Sequence, residues 1–336
     1  MNKSKIILLV FLGLLAVQIE TNGQDYQLTQ FYSAPTLLNP GFTGNTVQSR
    51  FVSNYRNQWT NIPGTFSTYS LSYEHFASKI NSGLGVRIMH DRAGSGGLGY
   101  SSVAVMYAYE LQLNYNLFFR PGISMGRSFS TLNYNRLVFG DQLSRPGSSS
   151  TIEQYEDPRI SYYDMNIGGV LYSHNFWFGL SASHVNKPNN SLLGYQSTLP
   201  MLISAHGGYR QNLQFKSRSK SRKAILYAFN YKNQLDFDQF DLGMYYEHDP
   251  LIIGFWYRGL PGVKSNEYSR INHDSFAILL GYQLREIKFG YSYDITISPL
   301  ISNSGGSHEI SIIHEFAKPK KRKYSNRKRI IPCARF

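Results

Sequence analysis

The sequence predicts an all-β chain, a transmembrane antiparallel outer-membrane β-barrel of about 14 strands with a basic C-terminal tail. Three observations carry that reading. Apolar and polar residues alternate with a period of two along many segments, the chain is rich in Tyr (26), Phe (21) and Gly (29), and no stretch beyond the first two dozen residues is long and apolar enough for a spanning helix. The mean hydropathy, -0.33, agrees with the last point.

The chain opens with Lys3 and Lys5, an apolar run from Ile6 to Val17 and a short polar stretch ending at Gly23. That order is a secretory signal peptide, 1–23, cleaved before Gln24. The apolar run is about half of the roughly 20 residues that a spanning helix needs. Residues 24–49 show no clear alternation and are expected either to plug the barrel or to lie in the periplasm.

Alternation then begins. It is clearest from Ile287, where Phe289, Tyr291, Tyr293 and Ile295 share one face and Lys288, Gly290, Ser292 and Asp294 the other. Phe276, Ile278, Leu280, Tyr282 and Leu284 repeat the pattern, as do Val103, Val105, Tyr107, Tyr109 and Leu111. Strands are expected at 50–58, 65–76, 83–90, 99–111, 117–130, 164–171 and 176–185, and then at 201–214, 224–232, 239–247, 251–258, 274–284, 287–297 and 307–316. A soluble sandwich or propeller would alternate too. Strands of roughly 9 to 12 residues instead suit a tilted crossing of the hydrocarbon layer, and aromatics near the strand ends suit its interfaces. The barrel is placed at 50–316 and a basic periplasmic tail at 317–336, with both termini in the periplasm.

The formal net charge of +13 is concentrated. Lys318, Lys320, Lys321, Arg322, Lys323, Arg327, Lys328, Arg329 and Arg335 crowd the tail with no acid among them, and Lys216, Arg218, Lys220, Arg222 and Lys223 form a second run. The rest is close to neutral. An exported chain meets no nucleic acid, so these runs suit an anionic protein or cell-wall polymer, or are plain solvated segments. A single cysteine, Cys333, excludes an intrachain disulfide.

Motifs with catalytic associations read better as barrel parts. Gly94, Gly96 and Gly99 match a dinucleotide-binding spacing, but a strand follows where a helix is required, so they suit a turn. Gly122, Ser124 and Gly126 match a nucleophile elbow, yet lie within a strand, where small residues suit close packing in the lumen. The histidines have no metal-ligand spacing; His308 and His314 share a strand face about 20 Å apart, too far for one metal. No catalytic residue, cofactor or metal is expected.

Several strings, in order, carry a resemblance. They are Gln30-Phe31-Tyr32; Asn39-Pro40-Gly41-Phe42-Thr43-Gly44; Tyr55-Arg56-Asn57-Gln58-Trp59; Asp91-Arg92-Ala93-Gly94-Ser95-Gly96-Gly97; Phe139-Gly140-Asp141-Gln142; His184-Val185-Asn186-Lys187-Pro188; Gly290-Tyr291-Ser292-Tyr293-Asp294; and Gly305-Gly306-Ser307-His308-Glu309-Ile310-Ser311. Together they resemble the PorP/SprF family of type IX secretion-system outer-membrane proteins along nearly the whole mature chain. The resemblance implies a non-enzymatic barrel needed for secretion or surface anchoring of large cargo proteins, gliding adhesins among them. It implies as partners the outer-membrane lipid, the C-terminal sorting domain of a cargo protein and other components of the machine, some linked to peptidoglycan. A passive porin-like channel is the competing reading, and a barrel hydrolase using Ser124 a third. Beside the resemblance, period two puts Arg56 and Gln58 on one face with Trp59 at the strand end, where an indole suits the interface. Arg56 is expected to point into the lumen and pair with an acid such as Asp91 or Asp141.

Overall fold

A computed structural model describes residues 25–64, 66–145, 151–152, 159–192, 196–213, 223–235, 237–260, 272–297, 304–316 and 330–334. The signal peptide expected at 1–23 lies outside them. Among the described residues no helix is long and apolar enough to cross a membrane; the chain crosses with strands. These are β1 (Ser49–Gln58), β2 (Phe66–Ala77), β3 (Ser82–Ala93), β4 (Leu98–Tyr109), β5 (Leu111–Gln112), β6 (Phe118–Thr131), β7 (Arg159–Tyr172), β8 (Phe176–Ser183), β9 (Leu202–Asn212), β10 (Lys223–Gln234), β11 (Phe237–His248), β12 (Leu251–Leu260), β13 (Asn272–Leu284), β14 (Ile287–Thr296) and β15 (Ser307–Glu315).

Each long strand pairs antiparallel with its chain neighbours, β4 pairs with β6, and β15 pairs back onto β1, so the sheet closes. The two-residue β5 continues β4 past Glu110, which leaves fourteen crossings in a closed antiparallel barrel with no free edge. Glu110 interrupts the ladder because its N–H turns to the carbonyl of Asn81, while its side chain is buried on the inner face.

Alternation sets the two faces. On β3, Leu84, Val86 and Ile88 are exposed while Arg87 and Met89 are buried; on β14, Ile287, Phe289, Tyr291 and Ile295 point out while Lys288, Ser292 and Asp294 point in. The apolar face is thus the outer one, where lipid replaces water, and the polar face lines the lumen. A soluble sandwich would reverse this.

The two rims differ. β1 begins and β15 ends on one of them, and most connections there are short: 78–81, 173–175, 249–250 and 285–286. The connection 213–222, which carries most of the basic run, leaves from this rim as well. The opposite rim holds the longer connections 132–158, 184–201, 261–271 and 297–306.

The lumen is filled by the chain itself. Ahead of β1, residues 25–48 form a strap in which Thr29, Gln30, Ser33, Asn39, Phe42 and Thr43 are all fully buried. It contains one helical turn, Pro35–Leu38, and a 3₁₀ turn, Pro40–Phe42, and otherwise has no regular structure. Ile331, Cys333 and Ala334 are buried beside it, in one apolar cluster with Phe31, Tyr32, Leu38 and Phe42.

Candidate functional site

A segment with so little regular structure must find partners for its backbone on the barrel wall. Arg87 donates to the carbonyl of Thr36 (2.8 Å), and Arg120 donates to that of Thr43. In the other direction, Glu74 accepts the N–H of Gly44 (2.8 Å) and Glu309 accepts those of Thr29 (2.7 Å) and Gln30 (3.2 Å). The wall supplies cations for strap carbonyls and carboxylates for strap amides. Three of these wall charges are also countered: Glu74 pairs with Arg50 at 2.9 Å, Arg120 with Glu110 at 3.3 Å and Glu309 with Arg56 at 3.3 Å.

The densest of these contacts surround Arg56. Its guanidinium donates to Asp294 (2.8 Å), Glu309 (3.3 Å) and the Thr29 hydroxyl (2.6 Å), and all four residues are buried. Thr29 in turn donates to Asp294 at 2.5 Å. Next to them Arg258 reaches Asp241 at 2.9 Å and Asp294 at 3.6 Å. Arg56 therefore points into the lumen but pairs with neither Asp91 nor Asp141. β1 lies between β2 and β15, and its inward residues meet acids on β14 and β15; Asp91 accepts instead from Thr68 at 2.5 Å. Asp141 sits on the rim, bound by Arg145 (2.5 Å), Thr151 (2.8 Å) and the N–H of Ile152 (3.0 Å). The Ile152 amide, then Thr151 and Arg145, hold its carboxyl below the usual range despite partial desolvation.

Farther along, Asn39 reaches three strands. Its amide donates to the carbonyls of Gly169 (3.1 Å) and Leu180 (2.9 Å) and meets His206 at 3.1 Å, while its oxygen accepts from the N–H of Gly41. The wall must be bare for the strap to come this close. A Cβ on Gly122 would stand 2.5 Å from the backbone of Pro40 and Gly41. Gly44 adopts φ +70°, which a side chain would strain. Tyr32 packs edge-on against Trp177, and Phe31 against Trp256, at centroid distances of 5.6 and 5.2 Å.

At the long-loop rim, His184 joins strap to wall. Its two ring nitrogens lie 2.8 Å from Asp164 on β7 and 2.9 Å from Asp25 on the strap. Burial opposes charge on the ring, but the hydrogen bonds to both carboxylates outweigh it and raise the pKa to about 10. The imidazolium is thus an ionic latch at neutral pH. Asn186 helps place it, accepting the N–H of Met165 and donating to the carbonyl of Tyr163. Between strap and wall there remains a cavity of about 70 Å³, bordered by Asp25, Arg87, Asp164, His184 and Lys232.

Other residues singled out in the sequence are dispersed. Gln58 ends β1 beside Phe66 and Ser307, and Trp59, at φ 57°, packs edge-on against Phe66 at 5.1 Å. Gly94 and Gly97 make the β3–β4 turn, closed by the Gly97 N–H on the Gly94 carbonyl. Ser124 is buried on the inner wall, and its hydroxyl has no hydrogen-bond partner among the described residues. Lys223 begins β10, whereas Lys216, Arg218, Lys220 and Arg222 lie outside the described residues, as do Lys320, Lys321, Arg322, Lys323, Arg327, Lys328 and Arg329. The end of the tail is not peripheral. The Ile331 N–H donates to Asn45 (2.9 Å), and Cys333 is buried beside them. Asp25 bonds Gln234, at the long-loop end of β10, whereas Ile331 bonds Asn45, close to the start of β1.

Sequence reasoning missed Asp294, Glu309, Glu74, Arg120, Asn39 and His184 as strap contacts. The signal was present in the quoted strings, which contain Asn39, His184, Asp294 and Glu309, but nothing in a strand pattern says what an inward polar residue faces.

The sequence matches the family model described as "Type IX secretion system membrane protein PorP/SprF" over residues 20–314. No curated protein matches it. Similar solved structures include the P. putida toluene transporter TodX (9% identity, 84% of this chain and 94% of that one, TM-score 0.48). The CymD monoaromatic hydrocarbon channel (12%, 88% and 95%, TM-score 0.42) and the KdgM porin (10%, 80% and 99%, TM-score 0.36) are similar too.

Proposed function

This chain belongs to the PorP/SprF family of type IX secretion-system membrane proteins, and from that premise we propose that it works as a closed docking barrel rather than as a pore. It is a protein of the bacterial outer membrane. Its task is to support secretion or surface anchoring of large cargo proteins, by holding their C-terminal sorting domains and other subunits of the machine at its rims. The observation that carries this reading is the strap: a lumen occupied by residues 25–48, held there by hydrogen bonds to buried, ion-paired wall residues, leaves the rims as the working surfaces. Barrels of this class keep short turns in the periplasm and longer loops outside. By that rule the basic runs 216–223 and 318–329 depart on the periplasmic side, toward an acidic subunit or peptidoglycan, and the long loops meet cargo.

Two measurements test this. The purified barrel in planar bilayers is expected to be electrically silent, and loss of the gene is expected to remove particular proteins from the cell surface. Steady conductance together with an unchanged set of surface proteins would replace this reading with a porin-like channel. For the basic runs, Lys and Arg to Gln exchange across 318–329 keeps the buried residues 330–334 and is expected to reduce co-purification of periplasmic components. Unchanged recovery would make that segment a bystander.

A further inference from the structure

We infer that the strap threads the barrel from rim to rim, so that the start of the exported chain opens on the long-loop side, opposite the side where β15 ends. The direction follows from the order of its partners. Asp25 bonds Gln234, the last residue of β10, and His184, just past β8, both at the long-loop rim. Tyr26 stacks on Tyr100, the third residue of β4, and Gln27 bonds Gln239, the third of β11, on the same side. Thr29 meets Asp294 and Glu309, each two residues in from the long-loop ends of β14 and β15. Thr36 then accepts from Arg87, midway along β3, and Asn39 bonds the carbonyls of Gly169 and Leu180, three and four residues from the short-turn ends of β7 and β8. Gly44 bonds Glu74, three residues from the short-turn end of β2, and the chain turns into β1 at that rim. Partner and position run together along the whole path. An apolar band about 25 Å tall is within reach of twenty residues, even with two helical turns among them.

The two rims thus present different chain ends. The first residue of the strap stands among the long loops, latched by His184 to Asp164. The last described residues, 330–334, are tied to Asn45 and lie toward the short turns. An exported protein arriving at the long-loop side would meet the head of this chain as well as its loops. That consequence rests on the docking role above; the threading does not.

The test compares sides instead of assuming one. Full-length chains carry a single short epitope between Gln24 and Asp25, beside Ser95 in the β3–β4 turn, or beside His174 in the β7–β8 turn. Binding of antibody to intact cells is compared with binding after outer-membrane permeabilisation. The Gln24/Asp25 epitope is expected to behave as the Ser95 epitope does and opposite to the His174 epitope. An Asp25 epitope that tracks His174 overturns the inference. If Ser95 and Asp25 are both hidden on intact cells while His174 is reached, the threading stands and the assignment of rims to sides falls. Should an insertion prevent folding, single cysteines D25C, S95C and H174C in a C333S chain replace it, read with a membrane-impermeant maleimide. D25C labelling within a few-fold of S95C and at least tenfold above H174C is the expected result, and the reverse order overturns the proposal.

Discussion

Arg56 shows how a residue on a polar face becomes a structural junction. It sits opposite Glu309 in the β1–β15 register, so one guanidinium bridges the seam that closes the barrel and takes in Thr29 of the strap. Replacing one partner of a buried pair leaves the others as uncompensated charges, at a cost of about 3–5 kcal/mol. Arg56→Met is therefore expected to lower the temperature at which the folded band is lost on unboiled gels, whereas Asp91→Asn, whose amide oxygen still accepts from Thr68, stays near wild type. Equal losses would show that the seam does not depend on the pair. The inward direction of Arg56 was legible from period two. Its acids were not, because pairing depends on which strands flank the seam and on the strap, and neither is encoded in the local pattern. His184 gives a pH test. Its folded pKa, about 10, is raised above the unfolded value of about 6.5. The stability it contributes is thus fully present below pH ~6.5 and is lost as pH rises through about 10. Protease cleavage of the strap is expected to increase between neutral pH and pH 10.5 in the wild type. Tyr26, Tyr100, Arg87 and Lys232 also face this region, so His184→Gln is the control: its strap should already be loose at pH 7 and change less on alkalinisation. A wild type and variant with the same pH profile would remove the latch.

At the scale of elements, strand positions were legible and strand ends less so. Thirteen of the fourteen expected segments reach within about three residues of the observed bounds at each end, since a lipid-facing wall enforces alternation wherever it crosses. β7 is the exception, beginning at Arg159 and not near 164. There Tyr162 and Tyr163 sit side by side, one buried and one exposed, and two adjacent aromatics hide the alternation that the β6 register reveals. The strap is illegible for a different reason. It has no period because its partners come from a wall that surrounds it, and strings such as Asn39 to Gly44 record close approach, not secondary structure. Gly122→Ala tests that approach. The added methyl would meet the backbone of Pro40 and Gly41 at 2.5 Å, closer than real Cβ atoms stand to backbone. The outer face of β6 is untouched. The expected outcome is a barrel that still assembles but whose strap is cut by protease several-fold faster; unchanged cleavage would mean that strap or strand shifts at little cost.

For the whole molecule, strap and barrel close together. Thr29 and Gln30 bond Glu309 and Ser311 on β15, while Asn54 and Arg56 on β1 bond Ser33 and Thr29, so the strap touches both sides of the last seam. A strap drawn in after closure would have to carry Asp25 past these contacts, and past Arg87 and Arg120, through a lumen lined by buried charges. The simpler order is that β1 and β15 meet around a strap already in place, with the Arg56–Glu309 pair as the clasp. Deleting residues 25–44 behind an intact signal peptide separates this from a strap that is merely a stopper. If strap and seam form together, the deleted chain assembles poorly, because Arg56, Glu74, Arg120 and Glu309 lose partners in one step and the β1–β15 seam is left with charges that face an empty lumen. The small fraction that does fold should conduct, since fourteen strands enclose a polar channel once the strap is gone. Supplying residues 25–48 as a peptide afterwards should silence few of those pores, while supplying it during refolding should raise the yield. A stopper predicts the reverse: normal assembly, open pores, and closure by peptide added at any time.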